Sequence, residues 1–330
     1  MEWFAYQSYL AIAVIIACVR LSGATRPRPA LVVLWFVLSV ALVAAYRSGN
    51  WDADMPGYVA AMAWTEVPDR YAFEPILWKA LQVCYSVIGD ETGTLLVLDT
   101  VGLFVMWIGL KSMRAPYFSY FGLVVFFPIV LGLQNGYRQF FGMMLSMYAF
   151  ALMRRTVAGA VAILALATLT HTASIAVIPT VVARRNTRPA SMTAVGGAIL
   201  ASLVMAPLAE MKGDKLVGFD FSALYLGVVL AIALAAWLPF GRISAVPASG
   251  LERLPSTVAA ITMIGATISF SSAWIERLGM FFLVLAYPSV CATIASLPFV
   301  GRLARPLCIL AGALPLVLVH TTRYFVMPPE

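Results

Sequence analysis

Apolar runs of roughly membrane-span length follow one another along almost the whole chain. They cover approximately 3–20, 31–46, 92–110, 117–133 and 137–153, then 190–209, 222–240, 257–273, 278–298 and 306–322. Each is near the about 17–25 residues that a helix needs to cross a bilayer. Residues 74–89 are apolar too, but the run is short and interrupted by Lys79 and Gln82, which predicts a re-entrant or interfacial helix. The pattern therefore predicts an all-α, polytopic membrane protein of about 10–12 transmembrane helices, some of them short or re-entrant.

The stretch 156–183 carries His171 and Pro179 inside an apolar run. As one helix it would measure roughly 42 Å, long for a hydrocarbon core of about 30 Å. As two half-spans meeting near His171 it would be a hairpin. Charge decides between these. With an outside N-terminus and a hairpin, the inner loops hold Arg20, Arg26, Arg28, Lys111, Arg114, Arg154, Arg155, Arg184, Arg185, Arg188, Arg242, Arg253, Arg302 and Arg305, which is 14 of the 22 Lys and Arg residues. A single span inverts everything downstream and divides them 11 against 11. The positive-inside bias favours the hairpin. Arg47, Arg138, Arg277, His171 and the acidic stretch from Arg47 to Asp90 then all come to the outer face.

Composition agrees: 62% hydrophobic residues, 11% charged and a mean hydropathy of +0.91 exclude a soluble domain. Spans and short loops consume the 330 residues, so a single integral membrane domain over 1–330 is expected, with 47–91 an outward-facing loop bearing the short interfacial helix. The net charge of +7 reads as orientation signal rather than a nucleic-acid surface. Cys18, Cys84, Cys291 and Cys308 show no metal-ligand spacing, and packing accounts for them. The acidic start Met1-Glu2, with arginines after the first run, resembles an uncleaved first span more than a signal peptide.

Chemistry is concentrated in a few polar interruptions. Gln134-Asn135-Gly136-Tyr137-Arg138-Gln139 separates two apolar runs; on a continuous helix Gln134 would share a face with Arg138, and Asn135 with Gln139. Arg138 either snorkels to the headgroups from a helix end or presents a planar fork to an anion such as pyrophosphate. Arg47-Ser-Gly-Asn-Trp51-Asp52-Ala-Asp54-Met-Pro-Gly-Tyr58 is a shaped loop rich in turn residues. Asp52 and Asp54 either cap turns or act in acid–base work or sugar binding; without a third acidic ligand nearby, a metal is disfavoured. Glu74 precedes Pro75 and is either an N-cap or a proton-transfer group in apolar surroundings. His171, in Thr-His-Thr, either closes a helix–helix hydrogen bond or contacts phosphate and moves a proton. Glu276-Arg277 is either a mutual interfacial pair or part of an anion site. His320 and Arg323 read as headgroup anchors. No phosphate-cradling glycine loop, Ser-His-Asp order or His-x-x-x-His is apparent.

Taken in order, Arg47, Asp52, Asp54, Tyr58, Glu74, Gln134-Asn135-x-x-Arg138-Gln139, His171-Thr-Ala and Glu276-Arg277 resemble the EpsG/Wzy-type polysaccharide polymerases of bacterial membranes. The resemblance extends from residue 47 to 277. It implies a GT-C-like glycosyltransferase that joins polyprenyl-pyrophosphate-linked oligosaccharide repeats on the outer face of the inner membrane. No cofactor or metal is implied. The expected partners are the lipid-linked donor and acceptor, membrane lipids and a chain-length regulator, with no nucleic acid. Arg138, Arg277 and Arg47 would take the pyrophosphate. Asp52, Asp54, Glu74 and His171 would activate the acceptor hydroxyl or position sugars, and Tyr58, Asn135, Gln139 and Trp51 would contact sugars. The outer loop near 210–221 is shorter than in many such polymerases. An O-antigen ligase-like transferase or a membrane acyltransferase is the alternative within enzymes, and a polysaccharide transporter or flippase the alternative outside them. The chain shows no half-to-half repeat, and its polar residues gather on one side, which disfavours transport.

Overall fold

The computed structural model describes residues 11–12, 14–15, 29–47, 55–64, 66–68, 72–185, 187–212, 221–238, 252–269, 271–296 and 303–314. Among these residues the chain is helical, with no strand. In chain order the helices are α1 (Pro29–Arg47), α2 (Met55–Met62), α3 (Pro75–Ile88), α4 (Glu91–Ser112), α5 (Tyr117–Val124), α6 (Phe127–Asn135), α7 (Tyr137–Leu152) and α8 (Val157–Thr170). A 3₁₀ segment (Thr172–Val177) leads into α9 (Ile178–Ala183), α10 (Arg188–Lys212), α11 (Ser222–Trp237), α12 (Arg253–Ser269) and α13 (Ser272–Ser296), and α14 is Leu303–Leu314. By length and apolarity α4 and α13 are each able to cross a membrane alone. With the composition, this is a helical membrane protein.

Three expectations need correction. Met55-Pro56-Gly57-Tyr58, read as the end of a shaped loop, instead opens α2; Pro56 falls in the first turn, where its missing N–H has no intrahelical acceptor to lose. The run 117–133 is not one span but α5 and α6, broken at Val125-Phe126. Pro128 lies in the first turn of α6; its ring would clash with the carbonyl of Val124 in a continuous helix. Likewise Gln134 and Arg138 do not share a helix. Gly136, with φ −146° and ψ 54°, ends α6 and starts α7, so Arg138 and Gln139 sit in the first turn of a new helix. The expected first span lies mostly outside the described residues, as does the last one beyond Leu314.

α7 is the centre of the bundle. Tyr137, Phe140, Met143, Met144 and Met147 are fully buried, and beyond its polar first turn this helix is buried on nearly every face. α4 comes close enough that a Cβ on Gly102 would fall 2.3 Å from the Phe140 ring, and one on Gly109 would fall 3.6 Å from Tyr148 Cα. α8 and α13 pack on other faces of α7.

The segment after α7 does turn back. α8 has 14 residues and so rises about 21 Å, while the 3₁₀ segment plus α9 descends by about the same. The ends meet: Arg154 Nε donates to Arg184 O at 3.2 Å. A single straight helix would hold these residues tens of ångströms apart.

Side-chain contacts sort the helix ends into two groups. At one end Glu252 pairs with Arg154 (3.1 Å) and Arg184 (3.2 Å), the Arg184 guanidinium lies 4.2 Å over the Phe150 ring, and Arg155 donates to Ser112 O at 2.8 Å. At the other end lie the hairpin tip and the starts of α4 and α7, joined where Tyr137 Oη donates to Leu95 O at 3.3 Å. Among the described residues, Arg154, Arg155 and Arg184 from that charge count cluster with the end of α4 at one end of the bundle; Arg20, Arg26, Arg28, Arg242 and Arg302 lie outside the described residues.

Candidate functional site

α3 begins at Pro75, so Glu74 occupies the position before the helix, but its carboxylate caps nothing in α3. It reaches instead to the hairpin tip and to α7. Oε2 pairs with Arg138 Nη1. Oε1 receives Thr172 N at 2.7 Å, Thr172 Oγ1 at 2.7 Å and the His171 ring at Nδ1, 3.0 Å away. The carboxylate is only 1% exposed, and a buried carboxylate of that kind is tolerable only when its oxygens are fully met by donors. Glu74 is therefore not the cap of α3; it is a buried carboxylate shared by α7 and the hairpin tip.

Arg138 is the accessible member of this cluster, with a side chain 21% exposed. Its guanidinium lies 5.3 Å over the Trp78 ring, and Trp78 stacks on Tyr58 at 5.2 Å and tilts against Trp64 at 5.1 Å. The Tyr58 hydroxyl accepts from Arg138 N at 3.4 Å. That N–H is one of those a helix leaves without an intrahelical partner in its first turn. The side-chain charge therefore sits beside the positive end of the 16-residue α7, where an anion is favoured twice over. A planar cation held by an ion pair and a ring face is not free to snorkel.

His171 is the break between α8 and the 3₁₀ segment, in extended conformation (φ −154°, ψ 121°). Its ring stacks on Phe281 at 6.1 Å and is 4% exposed. Gly142 on α7 makes room: a Cβ there would lie 3.1 Å from His171 Cβ and 3.1 Å from Phe281 Cζ. Among the described residues His171 Nε2 has no hydrogen-bond partner. The charges of Arg138 and Arg277 both act on this imidazole.

Arg277 comes from α13, its guanidinium 6.0 Å over the Trp274 ring. Gln139 Nε2 donates to Arg277 O at 3.4 Å, tying α7 to α13, while Glu276 accepts from Phe221 N at the start of α11. Thus Glu74, Arg138, His171, Gln139, Arg277 and Tyr58, scattered over more than 200 residues of sequence, meet at one end of the bundle. Trp51, Asp52 and Asp54 lie outside the described residues, as do the side chains of Arg47 and Asn135. Tyr58 is 5% and Gln139 5% exposed; the contacts of Tyr58 include Arg138, Trp78 and Tyr137, and Gln139 reaches Arg277 O. Among the described residues no group of three or more His, Cys, Asp or Glu could hold a metal ion.

The EpsG family model matches residues 30–245. The chain belongs to the EpsG family. No curated protein and no solved structure matches it. The EpsG match takes in Tyr58, Glu74, Arg138 and His171, whereas Arg277 lies beyond it and joins this EpsG protein's site through the fold alone.

Three residues gave little signal in the sequence. Thr172 supplies two of the donors to Glu74, and only its place beside His171 in a polar triplet could have flagged it. Trp78, one helical turn after Glu74, carries the Arg138 guanidinium. Asp99 is 1% exposed inside α4; a buried acid in the middle of a 22-residue apolar helix is a default functional candidate.

Glu74→Gln is expected to destabilise the protein by about 3 kcal/mol, the low end for breaking a buried ion pair because Arg138 is partly exposed. Thr172→Val, which keeps the backbone donor, should cost only about 1 kcal/mol. Thermal unfolding in detergent measures both. Equal effects would remove Glu74 from the centre of the cluster.

Proposed function

We propose that this protein is a membrane glycosyltransferase that polymerises polyprenyl-pyrophosphate-linked oligosaccharide repeats. The observation that carries this reading is Arg138: a partly exposed guanidinium at a helix N-terminus, paired with the buried Glu74 that His171 also meets. Membership in the EpsG family supports the polymerase class. The reaction needs a leaving pyrophosphate neutralised and an acceptor hydroxyl deprotonated, and the cluster offers groups for both. Arg138 and Arg277, with Arg47 in support, stabilise the charge that develops on the pyrophosphate. Glu74 and His171, with Asp52 and Asp54 from the preceding loop, serve the acceptor hydroxyl.

Some assignments shift. Tyr58 and Gln139 fit better as supports of Arg138 and Arg277 than as sugar platforms, because other side chains cover them. Trp51 and Asn135 stay as sugar contacts, and the half-buried Trp64 joins them. The architecture is read as GT-C-like, with the site on the outer face of the inner membrane and the Arg154–Glu252–Arg184 cluster on the cytoplasmic side. The excess of Lys and Arg at that end supports the orientation.

Purified protein given lipid-linked repeats should produce a ladder of longer glycans, which neither a flippase nor a single-transfer ligase makes. Arg138→Lys keeps a charge opposite Glu74 but loses the two-donor plane. A well-folded, membrane-inserted variant should therefore polymerise about 10²–10³-fold more slowly, and near-normal ladders at matched expression would return Arg138 to a structural role. Arginines take the place of a cation in this reading, so activity should persist in excess chelator. Loss restored by a divalent ion would make Asp52 and Asp54 metal ligands. Finally, an impermeant thiol reagent added from outside should label single cysteines placed at Gly49 and Asp90 but not at Asn186. Labelling at Asn186 would invert the proposed orientation.

A further inference from the structure

We infer that His171 Nε2 is the general base for the acceptor hydroxyl, and that Glu74 is a positioning residue that holds the imidazole in the tautomer this requires. The inference rests on the glycosyltransferase reading above and assigns the roles within its site.

Some of the groups around Glu74 can only donate. A backbone N–H and a guanidinium have no acceptor capacity, and Glu74 receives one of each, from Thr172 N and Arg138 Nη1. The ion pair with Arg138 keeps the carboxyl ionised, so it has no proton to offer. The hydroxyl Thr172 Oγ1, 2.7 Å from Oε1, must therefore donate as well. His171 Nδ1, 3.0 Å from the same oxygen, faces an acceptor that is not also a donor, so its hydrogen bond requires the proton on Nδ1. In a neutral imidazole Nε2 then carries the lone pair.

That lone pair is an acceptor the protein leaves unmet, beside the similarly unmet Ser174 hydroxyl. Glu74 is committed to four donors from two other elements and is poorly placed to accept a fifth proton. Nε2 is buried and without a partner among the described residues, and a buried acceptor left unmet is costly. A sugar hydroxyl would satisfy it. The Phe281 face and the close passage at Gly142 fix the plane of the ring, so Nε2 points in one direction only.

The step balances. The acceptor O–H bond breaks as its proton passes to Nε2, and the freed oxygen electron pair forms the new bond to the anomeric carbon. The bond from that carbon to the pyrophosphate oxygen breaks, and its electron pair leaves with the pyrophosphate beside Arg138 and Arg277. Glu74 stabilises the imidazolium until the proton passes to pyrophosphate or water.

His171→Asn tests this, because the asparagine amide can reproduce the Nδ1–H donation to Glu74 while removing Nε2. The variant should unfold at the wild-type temperature and bind polyprenyl pyrophosphate with wild-type affinity, yet polymerise about 10²–10⁴-fold more slowly. It should also lose the acidic limb of the pH–rate profile. A purely structural histidine predicts near-wild-type turnover in His171→Asn, and that result would overturn the assignment. Nitrogen-15 NMR of histidine-labelled protein in detergent reads the tautomer without substrate. The chain has two histidines, so a His320→Gln variant leaves His171 as the single signal. The proton should be on Nδ1, and finding it on Nε2 would sink the proposal. Because the NMR result does not depend on turnover, a protein that forms no ladder but shows the Nδ1–H form would count against the polymerase reading, not against the role given to Glu74.

Discussion

A carboxylate taken out of water next to hydrocarbon costs several kcal/mol unless its lone pairs are met, and this constraint at Glu74 shapes one whole end of the bundle. Its two oxygens draw on a side chain from α7 and on two residues of the hairpin tip, while its own backbone opens α3. No one of these segments could satisfy the charge alone. The tip must descend to this level, α7 must begin here, and α3 must start with its first peptide facing both. Trp78, stacked on Tyr58 and tilted against Trp64, lends its ring face to the Arg138 guanidinium, so an ion pair and a ring face together hold it.

The helix breaks serve the same end. Gly136 and His171 each interrupt an apolar run, and Pro75 opens one, where a continuous helix would have used the local N–H groups in its own ladder. Broken helices are tolerated at membrane depth where the irregular backbone is buried in protein or lines a cavity. Here the interruptions bring Thr172 N and Arg138 N out of helical ladders and turn them towards Glu74 and Tyr58. The opposite end of the hairpin is held by a different device, one carboxylate shared by two arginines.

How much of this was legible in sequence depended on the kind of signal. The hairpin could be read because charge asymmetry integrates over every loop, so one misplaced residue does not change the outcome. Glu74, Arg138 and His171 stood out because ionisable residues are rare against an apolar background. The break between α5 and α6 was also open to reading, since Phe-Phe-Pro128 carries its own steric veto, yet hydropathy alone ran straight through it. What sequence could not supply was pairing. Nothing in the order of residues says that Thr172 serves Glu74, 98 positions away, or that Trp78 faces Arg138. Tyr58 and Gln139 carry the hydrogen-bonding groups a sugar would want, and only packing reveals those groups turned on neighbouring helices.

The equal arms of the hairpin set a mechanical tolerance. Both feet are tied to Glu252 and the tip is tied to Glu74, so α8 works as a strut of fixed length between two ionic anchors. One residue added within it would lift the tip by about 1.5 Å and rotate it by about 100°, carrying the imidazole from the face of Phe281 towards a neighbouring helix. Substitutions along the lipid-facing side of that strut, such as at Val161 or Leu169, which are largely exposed, change neither dimension. Evolution could therefore vary the composition of this arm freely while its residue count stayed frozen, and in related chains a conserved length between Arg154 and His171 would mark the strut more clearly than any conserved side chain inside it.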